Sequence, residues 1–221
     1  MVAQRLVRVP PFERGLTLGD FLVPIRLGEL VTARQRHALM VAAGVAIITL
    51  SAQVVIPLPF TPVPITGQTF GILFTSALLG FRRSLLTVGI YLALGLIGLP
   101  VFAGWQSGLE KIVSVVDGAI VLGATGGYLI GFLFAGGLVG RLAELGWDRH
   151  IGGSVGAMVI GNGVIYLFGV PWLMAALGVD FAKALAFGFY PFLVGDVIKI
   201  ALAAALLPAG WWLVKRRSTD L

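Results

Sequence analysis

Six stretches of this chain are apolar over a length that would cross a lipid bilayer, and that repetition limits its fold more than any other feature. A spanning helix needs roughly 17 to 25 mostly apolar residues. Such runs can be drawn at 38–56, 67–80, 84–102, 123–140, 151–169 and 188–214. Composition agrees, with 58% hydrophobic residues, only 12% charged ones and a mean hydropathy of +0.98. The fold expected is an all-α membrane protein of six transmembrane helices, the second of them short.

Charge placement sets the orientation. Of the 16 lysines and arginines, 13 fall on one side of these runs, among them Arg82, Arg83, Arg141, Arg149 and the Lys215–Arg217 cluster. Only Lys111 and Lys183 fall on the other side, and Lys199 lies within a run. Cytoplasmic loops are enriched in such residues, so both termini are expected in the cytoplasm and the chain in the cell membrane. Because the basic residues gather at span ends, the net charge of +6 does not point to nucleic acid. The sequence divides into a cytoplasmic or interfacial extension (1–37), a membrane domain (38–214) and a basic tail (215–221). The extension carries six arginines and prolines at 10, 11 and 24, which rules out one continuous helix, and no cleavable signal peptide is expected in it. It suits either an interfacial segment or a mobile tail.

Several chemistries are excluded. Cysteine is absent, which removes disulfides and thiolate sites. His37 and His150 sit beside arginines at span ends and read as flanking charges, so no metal is expected. No P-loop, H-E-x-x-H or G-x-S-x-G occurs, so the chain cannot hydrolyse ATP by itself and carries no enzymatic signature.

What remains is a small polar set in apolar surroundings. Asp196 and Lys199 lie three residues apart in PFLVGDVIKIALAAALL, on one helix face. Ionisable groups at membrane depth usually mark a substrate or ion path, while mutual neutralisation is the plain alternative. Asn162, in GAMVIGNGVIYLF, lies about 9 Å below the end of its expected span and Asp196 about 10 Å below the same surface. The three could therefore share one outward cavity, unless Asn162 only bridges helices. Lysine suits a ligand carboxylate, and Asp and Asn suit hydrogen-bonding ends. Gln68, Tyr91, Trp105, Tyr128 and Trp172 are candidates for its walls, although tryptophans also anchor at membrane interfaces. The segment IPLPFTPVPITGQT (56–69) carries prolines at 57, 59, 62 and 64 and cannot be helical. It is an extracytoplasmic loop that either covers the pocket or merely connects spans. Gly123, Gly127 and Gly131, and Ala42 with Ala46, form small-residue stripes that let helices approach closely, within the bundle or against another subunit.

In order and spacing, IPLPFTPVPITGQTFG, LLGFRR, YLALGLIGLPVFAG, GATGGYLIGF, GVPWL and GDVIK resemble the BioY family over about 39–214. BioY proteins are the biotin-specific membrane subunits, or S components, of energy-coupling factor (ECF) transporters. The resemblance implies a six-helix bundle with a vitamin pocket capped by extracytoplasmic loops. It also implies polar contacts to biotin from Asn162, Asp196 and Lys199, with biotin as cargo and no cofactor. Transport would be driven by a transmembrane coupling protein and two cytoplasmic ATPases, with Ala42 and Ala46 resembling the docking surface for the former. Ala124 departs from the proline usual in the G-P-T-G-G-Y motif. A proton-coupled secondary transporter using Asp196 is the alternative, and an acyl-transfer enzyme using Lys199 lacks any nucleophile motif.

Overall fold

The computed structural model describes residues 15–22 and 32–219, and of 217–219 the backbone only. Most of the expected N-terminal extension therefore lies outside the described residues. The elements are α1 (Leu18–Leu22), α2 (Ala33–Ala52), β1 (Val55–Ile56), β2 (Ile65–Thr66), α3 (Gln68–Leu79), α4 (Phe81–Leu96), β3 (Val113–Val116), β4 (Ala119–Leu122), α5 (Gly126–Glu144), α6 (Ile151–Leu177), α7 (Phe181–Gly188) and α8 (Leu193–Thr219). The strands form two separate antiparallel hairpins. Helix α5 sits centrally, packed on α3, α4 and α6, while α6 also packs on α8 and α2 on α3 and α4.

Six helices fall on the six expected runs, but their lengths differ. Among the described residues, four segments are long and apolar enough to cross a membrane: Ala33–Ala52, Gly126–Glu144, Ile151–Leu177 and Phe181–Arg216. Helix α3 has 12 residues and α4 has 16, rising roughly 18 and 24 Å, short of a core of about 30 Å.

Each shifted end has a local cause. Helix α4 stops at Leu96 rather than 102 because Gly98 takes φ 107° and Pro100 follows, a combination that ends helices. The expected start of α5 at 123 is instead the base of the β3–β4 hairpin, where the Gly123 amide donates to the Ile112 carbonyl at 2.9 Å. Helix α6 does not end at 169. It continues through Pro171, which is exposed, and closes on Gly178 in the left-handed conformation at φ 61°.

Close backbone approach holds the centre. A Cβ on Gly127 would lie 2.2 Å from the Trp172 Cβ and 2.5 Å from the Phe168 carbonyl oxygen, so only glycine lets α5 meet α6 there. At the end of the bundle where α5 finishes, Glu144 ties three segments. Its carboxylate accepts from the Phe81 amide and from Arg141, each at 2.8 Å, and its carbonyl accepts from the Gly15 amide at 2.9 Å. Nearby, Arg83 donates to both Asp20 oxygens at 2.8 and 2.9 Å. That pair ties α1 to α4, while α1 itself packs on α3 and α8.

Candidate ligand-binding site

A cavity of about 450 Å³ opens at the opposite end of the bundle, within the size range of small-molecule sites. Its cover is the loop between β1 and β2, which contributes Pro57, Leu58, Pro62, Val63 and Pro64. Four prolines make this loop stiff, and the Thr61 hydroxyl holds it to the end of α7 by donating to the Phe187 carbonyl at 2.9 Å. A second rim segment, from Phe102 to Lys111, follows α4. The side walls are Tyr128, Leu129 and Phe132 of α5, Ile165 and Tyr166 of α6, and Phe192 before α8.

The polar groups converge on one wall. Asp196, in the first turn of α8, faces Lys199 across 3.2 Å, with side-chain exposures of only 5% and 15%. The Lys199 ammonium also donates to the Thr69 hydroxyl of α3 at 2.8 Å, and the Tyr166 hydroxyl donates to the second Asp196 oxygen. Every member of the buried pair therefore has partners, which is the condition for such a pair to persist in low dielectric. Gln68 lines the same cavity, donating to the Tyr91 hydroxyl at 2.6 Å and accepting from the Thr66 hydroxyl at 3.2 Å. Tyr128 presents its ring, since its hydroxyl donates to the Gly188 carbonyl at 2.8 Å.

The structure thus brings four sequence-derived residues together on the lining: Gln68, Tyr128, Asp196 and Lys199. Tyr91 stands behind Gln68, fully buried. Asn162 is not on the lining. The expected depth of about 9 Å measures Asn162 from Phe168. The helix runs to Leu177, which puts Asn162 about 22 Å from that end. Its amide donates to the Met158 carbonyl one turn back at 3.1 Å, and its oxygen is buried without a hydrogen-bond partner.

Tyr166, four residues on and one turn nearer the cavity, is the α6 residue that meets Asp196. Sequence reasoning passed over it and Thr69. The i, i+4 relation of Tyr166 to Asn162 and the adjacency of Thr69 to Gln68 were the available signals. Of the two tryptophans, Trp105 is exposed, and Trp172 donates to the Gly123 carbonyl at 2.8 Å. Ala42 and Ala46 lie exposed on α2, on the face away from Gly44, which packs against Thr75, Leu79 and Thr87.

An apolar helical bundle holding one enclosed cluster of a carboxylate, an ammonium and hydroxyls is a membrane protein built to bind a small polar-ended molecule. The family model of the BioY family matches residues 26–216, and the chain belongs to that family. It is 37% identical to a biotin transporter BioY of Rhizobium etli over 158 residues, 68% of this chain and 79% of that protein. To the biotin transporter BioY of Thermotoga maritima it is 36% identical over 169 residues, 76% of this chain and 92% of the other. A crystal structure of the S component for biotin from an ECF-type ABC transporter superposes with a TM-score of 0.67 at 28% identity, covering 81% of this chain and 93% of that one. These relatives are transporters, not enzymes.

Proposed function

We propose that this chain is the substrate-binding S component that captures biotin for ATP-driven import by separate ECF partners, a transmembrane coupling protein and two cytoplasmic ATPases. The observation that carries this reading is the Asp196–Lys199 pair with its Tyr166 and Thr69 partners, set in an apolar cavity on a chain of the BioY family. Biotin has a carboxylate at one end, a ureido group at the other and an apolar body between. Lys199 suits the carboxylate, Asp196 suits the ureido N–H groups, and Leu129, Phe132 and Ile165 suit the body.

Gln68 and Tyr128 contact the ligand from the lining, and Tyr91 orients Gln68. Asn162 keeps an unpartnered oxygen, and a side-chain rotation would have to bring it to the ligand. In this reading the chain crosses the membrane six times with both termini cytoplasmic. The short helices α3 and α4 borrow length from flanking loops, and the cavity opens outward under the proline-rich loop. Ala42 and Ala46 form the docking stripe for the coupling protein.

Biotin binding to the purified chain, followed by calorimetry and by thermal unfolding, is the test. Saturating biotin should raise the midpoint, since a ligand bound only by the folded state stabilises it. An unchanged midpoint together with no binding heat would sink the proposal.

A further inference from the structure

The β3–β4 hairpin is the part of the molecule least suited to water. Its register pairs Val115 with Ile120 and Val116 with Ala119, so the outer half of each face is apolar. Val115 is 71% and Ile120 75% exposed. Asp117, in the turn, is the only charge between Lys111 and Arg141. No described segment packs over these side chains. A lone two-stranded hairpin is marginal in water, and apolar open edges invite pairing.

We propose that this hairpin rests in the headgroup–acyl boundary of the leaflet on the cavity side, as a lipid-held extension of the cavity wall. Three observations support this occupant. First, β4 ends at Leu122 and α5 begins at Gly126. Helix α5 has 19 residues, roughly 28 Å, so its start lies near the edge of a core of similar thickness. The few residues between keep the hairpin base within about 10 Å of that edge.

Second, the neighbouring loop is apolar too: Ile97, Leu99 and Leu109 are exposed, and so is Trp105, a residue type that concentrates at membrane interfaces. The hairpin thereby continues the lipid-facing surface of the bundle. Third, the open strand edges forbid full insertion, because unpaired backbone groups are not tolerated in the hydrocarbon core. The boundary layer supplies water for the edges and apolar depth for the side chains.

The placement reaches the cavity directly. Lys111, Gly123 and Thr125 at the hairpin base line it, and the Ile112 carbonyl and the Trp172 indole hold Gly123 from two sides.

Absence of native cysteine makes single-site labelling clean. Ile120→Cys and Ala119→Cys, each carrying an environment-sensitive fluorophore, are reconstituted into phosphatidylcholine vesicles. The benchmark is Val159→Cys, an exposed position two turns inside the start of α6. Emission is measured with nitroxide-bearing lipid and, separately, with iodide on both sides of the membrane. At both hairpin positions the lipid-borne quencher should dim the label more than iodide does, as at the benchmark. Iodide quenching equal to or greater than lipid quenching overturns the proposal, and so does oxidative cross-linking of Ile120→Cys between copies, the mark of edge-to-edge pairing. The outcome rests on the membrane placement of α5 and not on the identity of the ligand.

Discussion

The decisive residues are the few charges that the apolar bundle tolerates. Removing Lys199 would leave Asp196 buried with only the Tyr166 hydroxyl. In the biotin-binding reading it would also remove the partner of the ligand carboxylate. Lys199→Ala should therefore weaken biotin binding by about 2 to 5 kcal/mol, measured by calorimetry; equal affinity would return Lys199 to a purely structural role. Tyr166→Phe keeps the ring and deletes one hydrogen bond to a charged group, worth about 1.5 to 3 kcal/mol. It should lower both the unfolding midpoint and the affinity.

At the other end, in the turn between α5 and α6, burial pushes the Asp148 carboxyl up to about 6, against the lowering effect of the Trp211 indole, which donates to it at 2.6 Å. The folded state thus holds the proton more tightly than the unfolded chain, and stability falls as pH rises from about 4 to about 6. Asp148→Asn removes that dependence. The variant's midpoint should gain on the native one across this window and run parallel above it, as followed by thermal unfolding at each pH. A constant difference from pH 4 to 7 would contradict the assignment.

Among the elements, α5 and α6 carry the packing, and their glycines are not equivalent. Gly127→Ala forces a methyl group onto Trp172 and the Phe168 carbonyl and should destabilise by about 1 to 3 kcal/mol. Gly163→Ala meets nothing within 4 Å and should be neutral or gain up to about 1 kcal/mol. Thermal unfolding of the two variants separates them. The same helices show what the sequence could and could not reveal.

Apolar periods located the six runs and the polar set within two of them, because hydropathy is additive along a segment. Helix ends were less legible, since Pro171 lies inside the continuous helix α6 rather than beyond its end, while Gly123 reads as helix yet closes a hairpin. The error of eight residues at the end of α6 propagated into the site. It placed Asn162 level with Asp196, where the structure has Tyr166 on α6 meeting that carboxylate. Contacts such as Lys199 to Thr69 join residues 130 positions apart, and no local pattern encodes them.

For the whole molecule, the proposed function makes biotin capture separable from transport. At a concentration a hundred times its dissociation constant, biotin should stabilise the purified chain by about 2.7 kcal/mol. A bulky substitution on the exposed stripe of α2, Ala42→Trp, should leave that stabilisation intact and abolish uptake in cells supplying the ECF partners. Loss of biotin binding in this variant would place the stripe in the site and not in docking. Accumulation driven by a pH gradient without ATP would instead favour proton coupling through Asp196.

The clamp on Glu144 bears on how the bundle is made. The Gly15 and Phe81 amides must wait for an acceptor synthesised 129 and 63 residues after them. Helices α1 to α4 are therefore synthesised before the Gly15 and Phe81 amides can be tied. Those two bonds, at the segment before α1 and at the turn between α3 and α4, can close only once the end of α5 has been made.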